Sequence, residues 1–153
     1  MLHIKNTYQY QRNQKSHYLD NEQKNIINDI ITNIKKQVSD KRVILALSGG
    51  VDSTVVAALL NKAIDRKLTC IFIKTGLMRK NEVKEVKENI SKKLGIKLIT
   101  IEASTIFFNK LKNIKDPESK RKIIGKTFIR IFEKEAKKLK NIDFLAQGTI
   151  YPD

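Results

Sequence analysis

From residue 20 onward the chain alternates two kinds of apolar pattern. "LDNEQKNIINDIITNIKKQV" places Ile26, Ile27, Ile30, Ile31, Ile34 and Val38 at helical spacing, and Asp20 with Gln23 three residues on has the form of a capping box. "RVILAL" then runs apolar without a break, as a strand buried on both faces does. After two glycines, "DSTVVAALLNKAI" returns to helical periodicity through Val55, Val56, Leu59, Leu60 and Ala63. "LTCIFI" reads as a second buried strand, and "KNEVKEVKENISKKLG" as an amphipathic helix with Val83, Val86, Ile90 and Leu94 inward and Gly95 just past its end. "IKLITIEA" predicts a third strand and "TIFFNKL" a short helix. In "KDPESKRKIIGKTFIRIFEKEAKKL", Asp116 can cap and Pro117 suits the first helical position, while Ile123, Ile124, Phe128, Ile131, Phe132 and Leu139 form the inner face. "DFLAQG" predicts the fourth strand.

Strands alternating with helices at these spacings imply βαβ crossovers. The expected fold class is therefore α/β, a three-layer, mostly parallel twisted sheet with helices on both faces. In such sheets ligands sit beyond the carboxyl ends of the strands, where Ser48–Thr54, Lys74–Arg79, Glu102–Ser104 and Gln147–Asp153 would converge. A chain of 153 residues has room for one domain. The polar stretch 1–19 is expected to be a loosely ordered N-terminal segment, and residues 20–153 the domain.

Charge changes this picture little. The formal net charge is +15, which would suit a polyanionic partner if it were clustered. The lysines instead alternate with Glu, as in "RKNEVKEVKENISKKLG" and "FEKEAKKLK", a pattern of solvated helix faces with i,i+4 pairs, which argues against nucleic acid as a partner. A single cysteine, Cys70, excludes an internal disulfide and fits a reducing compartment. With no apolar run near the roughly 18–20 residues a bilayer demands, and no apolar signal core, a cytoplasmic protein without a membrane partner is expected.

The chemistry concentrates in "ALSGGVDST". The absence of side chains at Gly49 and Gly50 lets successive N–H groups face an anion at the start of the next helix, and Ser48, Ser53 and Thr54 can add hydroxyl donors. Asp52 either caps that helix or, beside bound phosphate, holds a Mg²⁺ ion that offsets the repulsion. No lysine follows the glycines, so this is not a Walker A loop, and it is not G-x-G-x-x-G. It resembles the S-G-G-x-D-S loop of the ATP pyrophosphatase group. With "LTCIFIKTGLMRKNE", "KDPESKRKIIGKTFIRIFEKEAKKL" and "FLAQGTIYPD", it is similar in order and spacing to the ATP pyrophosphatase domain of the GMP synthetase family.

That resemblance implies an adenine nucleotide alpha hydrolase-like fold. It also implies a ligase that aminates xanthosine 5′-monophosphate (XMP) to GMP with ATP, through an adenylyl-XMP intermediate, releasing pyrophosphate and then AMP. It carries over Ser48, Gly49, Gly50, Val51, Asp52, Ser53 and Thr54 as the ATP loop, Asp52 as the Mg²⁺ contact, and Arg79 and Asp153 as XMP contacts. Lys120, Arg121, Lys122 and Lys126 fall in the family's lid region; Lys122 and Lys126, with Asp52, are the candidate catalytic residues. Without the family match these cations read as a solvated helix face.

Three departures qualify the expectation. Cys70 lies in a predicted buried strand, so no glutaminase domain is expected and ammonia would come from solution or from a separate glutaminase subunit. Lys74 stands where the family usually has an acidic residue, reversing the local charge. The family also continues beyond "TIYPD" into a C-terminal dimerisation domain, so the ATP pyrophosphatase domain is expected to be incomplete. A noncatalytic ATP-binding fragment and an RNA-modifying ATP pyrophosphatase are the competing readings.

Overall fold

The computed structural model of the chain describes residues 2–5 and 16–149. Five strands, β1 (Leu2–Lys5), β2 (Val43–Leu47), β3 (Leu68–Lys74), β4 (Lys97–Glu102) and β5 (Phe144–Thr149), form one sheet in the order β1-β5-β2-β3-β4. Every pairing is parallel, with Val43 opposite Leu68 and Phe144, and Lys74 opposite Glu102. The helices are α1 (Ser16–Val38), α2 (Val51–Ile64), α3 (Glu82–Val86), α4 (Ser104–Leu111) and α5 (Pro117–Lys138).

The unbroken apolar run of β2 is explained by two cores. Val43, Leu45 and Leu47 face one cluster, in which Ile34 and Val38 of α1, Val56, Ala57 and Leu60 of α2, and Val86 and Ile90 cover the sheet. Ile44 and Ala46 face the other, closed by Phe107 of α4 and by Phe132 and Ala136 of α5. The expected three-layer arrangement with helices on both faces is thus the observed one.

Several boundaries differ from the sequence expectation. Residues 2–5, expected to be loosely ordered, form an edge strand beside β5, a four-residue pairing too short to leave a readable alternation. The first helix starts at Ser16, so Asp20 lies inside it and is no cap; an interior Asp costs only about 0.5 kcal/mol against Ala, too little to stop a helix. The apolar stripe of α1 is buried only in its second half, leaving Ile26 54% exposed. Val55 is also exposed, because the α2 face against the sheet is set by Val56, Leu59, Leu60 and Ile64.

The helix expected over 80–95 is α-helical only to Val86 and continues as π-helix over Lys87–Lys93, keeping Val86 and Ile90 both inward. Asn61 Nδ2 donates to the Leu94 carbonyl at its end, 3.1 Å away, and Gly95 follows at φ +65° as the left-handed residue after the helix. In α5 the sequence expectation holds: Asp116 accepts from the Ser119 N–H at 2.8 Å and Pro117 opens the helix.

Candidate functional site

Parallel strands with helical returns bring all the β→α turns to one edge of the sheet. There β2 ends at Leu47, and Ser48-Gly49-Gly50 turns the chain into α2. Gly49 takes φ +90°, a conformation that favours glycine, and a Cβ on it would collide with the Met78 methyl. Gly50, at φ −76° and ψ 160°, is the N-cap of α2 and has no side chain to spend on the helix. The first-turn N–H groups are therefore left without a side-chain capping oxygen.

Of the two roles open to Asp52, the cap is taken by another residue, and Asp52 is not among the residues that line the cleft beside the turn. It occupies the second helical position, exposed, while Gly50 does the capping, so its carboxylate is available to a ligand. The hydroxyls divide differently from expectation. Ser53 Oγ donates to the Gly50 carbonyl at 2.9 Å and Thr54 Oγ1 to the same carbonyl at 3.4 Å, so both tie down the turn; Ser48 is exposed.

A cleft of about 620 Å³ opens beside the turn, lined by Gly49, Gly50 and Val51 from one side and by Arg79, Lys80, Asn81, Glu82 and Glu85 from the other. Arg79 and the glycine loop, separate in sequence, are thus brought together. The Lys80, Asn81, Glu82 and Glu85 lining was not anticipated from the pattern, which marked these residues only as the polar start of a helix. A readable signal was present, since Glu82 lies three residues after Arg79, the spacing at which a carboxylate reaches back to an N–H group.

Lys120, Arg121, Lys122 and Lys126 are exposed on α5 and take no part in lining that cleft; Lys122 pairs with Glu118 one turn earlier at 3.4 Å. Asp153 lies outside the described residues. Among the described residues no group of three or more His, Cys, Asp or Glu side chains could hold a metal ion by itself. Asp52 as one exposed carboxylate fits Mg²⁺, which usually takes one or two carboxylates together with phosphate oxygens and water.

At the neighbouring strand ends Lys74 forms an ion pair with Glu102, which also accepts from the Ser104 N–H and hydroxyl. The Lys74 ammonium, followed by the Ser104 hydrogen bonds, pulls the Glu102 carboxyl down to about 2. The charge reversal expected at Lys74 is therefore offset by its register partner. Cys70 is buried in β3, and desolvation pushes its thiol up to about 12, which leaves it no nucleophilic role near neutral pH.

A glycine turn feeding a helix at the carboxyl edge of a parallel, helix-covered sheet defines a nucleotide-binding class of α/β domain. The NAD synthase family profile matches residues 23–128, and the chain belongs to that family. GMP synthase [glutamine-hydrolyzing] of Limosilactobacillus reuteri is 56% identical over 123 residues, covering 80% of this chain and 24% of the relative. The protein of the same name from Finegoldia magna is 57% identical over 129 residues, covering 84% of this chain and 25% of the relative. The chain thus spans about a quarter of the length of these relatives.

Among solved structures, the NH3-dependent NAD synthetase of Campylobacter jejuni superposes with a TM-score of 0.62 at 21% identity, covering 81% of this chain and 54% of that one. A glutamine-dependent NAD+ synthetase from Acinetobacter baumannii, in complex with ADP, gives 0.60 at 16% identity over 75% of this chain and 23% of that one. The expected parallel sheet with helices on both faces is the fold shared with these synthetases.

Proposed function

We propose that this domain is the ATP pyrophosphatase part of an XMP-aminating ligase. The observation that supports the reading is the cleft lined by Gly49, Gly50, Val51 and Arg79, in which a glycine turn suited to phosphate stands beside a cation. The GMP synthase relatives at 56–57% identity support the choice of substrate.

The loop from Ser48 to Thr54 would grip the ATP triphosphate through backbone N–H groups and the Ser48 hydroxyl, with Ser53 and Thr54 bracing the turn. Asp52 would hold Mg²⁺ against the phosphate oxygens, and the ion when bound supplies charge neutralisation there. Arg79 and Asp153 would hold XMP. An oxygen of the xanthine ring attacks the α-phosphorus and the bond to pyrophosphate breaks, giving adenylyl-XMP. Ammonia then adds to the ring carbon bearing that oxygen, loses a proton, and AMP leaves as GMP forms. The leaving pyrophosphate gathers negative charge, which Lys122 and Lys126 would offset once α5 and the loop close on the nucleotide.

Ammonia would come from solution or a glutaminase partner, and the XMP site would be completed by a C-terminal dimerisation region. The test supplies ATP, Mg²⁺, XMP and ammonium to the chain, alone and together with the C-terminal dimerisation region, and follows pyrophosphate. Release that depends on XMP is expected; release or silence indifferent to XMP would overturn the reading. ATP binding without turnover is the second reading, favoured by the Lys122–Glu118 pair and by the absence of α5 cations from the cleft lining. Calorimetric titration with a non-hydrolysable ATP analogue, alongside the turnover assay, separates the two.

A further inference from the structure

The strap from Thr75 to Asn81, between β3 and α3, is fastened at both ends of its course. Gly76, at φ +75°, packs so closely on α4 that a Cβ would come within 2.7 Å of the Phe108 ring and 2.9 Å of Ser104 Cβ. Met78 lies on Gly49. The Arg79 carbonyl accepts from the Glu82 N–H at 3.1 Å, and the Arg79 N–H donates to Glu82 Oε2, also at 3.1 Å. These reciprocal bonds close a four-residue turn whose first member is the cleft arginine.

Glu82 differs from the other charged residues of the cleft. It is half-buried, whereas Arg79, Lys80 and Glu85 are exposed, and among the described residues it has no ion-pair partner. Its Oε2 lies 3.8 Å from the point a Gly49 Cβ would occupy, so the oxygen that accepts from Arg79 also stands beside the glycine loop. A carboxylate drawn partly out of water with no cation, and bonded to one backbone amide, is placed to hold that amide rather than to hold a charge.

We propose that Glu82 is the positioning residue for Arg79, fixing the arginine turn at a set distance from the glycine loop so that the two anionic substrates enter one cleft in register. This rests on Arg79 as the XMP contact. Glu82→Ala removes the acceptor, leaves the Arg79 N–H without its partner, and is expected to raise KM for XMP about three- to tenfold, with kcat held within about twofold. Glu82→Gln keeps an acceptor oxygen and is expected to restore KM.

Independently of any substrate, the Arg79 amide proton is expected to exchange faster with solvent in Glu82→Ala and at the wild-type rate in Glu82→Gln. Unchanged Arg79 exchange in Glu82→Ala, or a Glu82→Gln variant as impaired as the alanine one, overturns the proposal. If Glu82→Ala does not fold, Glu82→Asp, one methylene short, provides the same comparison of Arg79 exchange. A wild-type chain without XMP-dependent turnover even with the C-terminal region supplied defeats the proposed reaction, while the exchange measurement still decides the role of Glu82.

Discussion

The glycine turn shows most directly how single residues set the site. Gly49 combines a positive φ with a surface pressed by Met78, so Gly49→Ala must meet both a strained backbone and a steric overlap. A loss of at least about 1–3 kcal/mol is expected in the denaturant midpoint, together with loss of nucleotide binding. The need for glycine there was legible from "SGG" and is enforced by the positive φ; its neighbour Met78, whose flexible methyl end can give way, was not legible, since nothing local links positions 29 residues apart. Lys74 shows the reverse case. Read alone it inverted the charge of the edge; opposite Glu102 in register it is half of an ion pair, and only the strand alignment reveals that. Because pairing depresses the Glu102 carboxyl to about 2 from an ordinary 4.5, the contribution is present above pH 4.5 and lost as pH falls toward 2. Lys74→Met is expected to flatten the stability profile across that acid window, measured as the urea midpoint against pH. A profile with unchanged slope would show the pair to be idle in solution.

At the level of elements, helices were read most securely where packing and local signals agree. In α5 the cap and the proline are as expected, and of the inner face Phe132 is buried with Ile124, Phe128, Ile131 and the C-cap Leu139 packed beside it, while Ile123 joins neither core. In α1 the apparent box at Asp20 and Gln23 misled because a cap motif is only a weak preference. The π segment over Lys87–Lys93 left no mark in the sequence, since its inward residues keep ordinary helical spacing. Gly125 is an exposed interior residue of α5 with nothing within 4 Å of a built Cβ. Gly125→Ala is thus expected to stabilise by about 0.5–1 kcal/mol through helix propensity, raising the thermal midpoint without altering activity. The cations at the start of the same helix test the proposed lid. If α5 closes on the triphosphate, Lys126→Ala and Lys122→Ala should each lower kcat, together by about 10²-fold, while leaving stability nearly unchanged, because both side chains are exposed. Equal kcat in all variants would return these lysines to a solvated helix face.

For the molecule as a whole, alternation of pattern was enough to predict a parallel sheet covered on both faces, because β2 and β3 must bury both sides and only helical crossovers provide the cover. It could not give the strand order, nor bring Arg79 to Gly49, since both depend on which strands become neighbours. The net charge of +15 is likewise a property of the whole chain whose meaning depends on placement. If it served RNA, binding would be tight and would fall steeply with salt through counterion release; weak, sequence-blind association with tRNA at physiological ionic strength is expected instead. If the charge serves a nucleotide in one cleft, stabilisation should be specific to the triphosphate and its metal. A nucleotide at about a hundredfold over its Kd adds about 2.7 kcal/mol to folding, which in a domain of this size raises Tm by roughly 5–10 °C. ATP with Mg²⁺ is expected to give such a shift in a thermal melt, and Asp52→Asn to reduce it to that of ATP with chelator. Asp52 makes no capping bond in this fold but is the acidic first-turn residue of α2, so Asn costs some resting Tm through the helix dipole and the increment on adding ATP with Mg²⁺ is read against each variant's own resting Tm. An Asp52→Asn chain that gained the full shift would remove Asp52 from the metal site and leave the glycine loop holding phosphate without it.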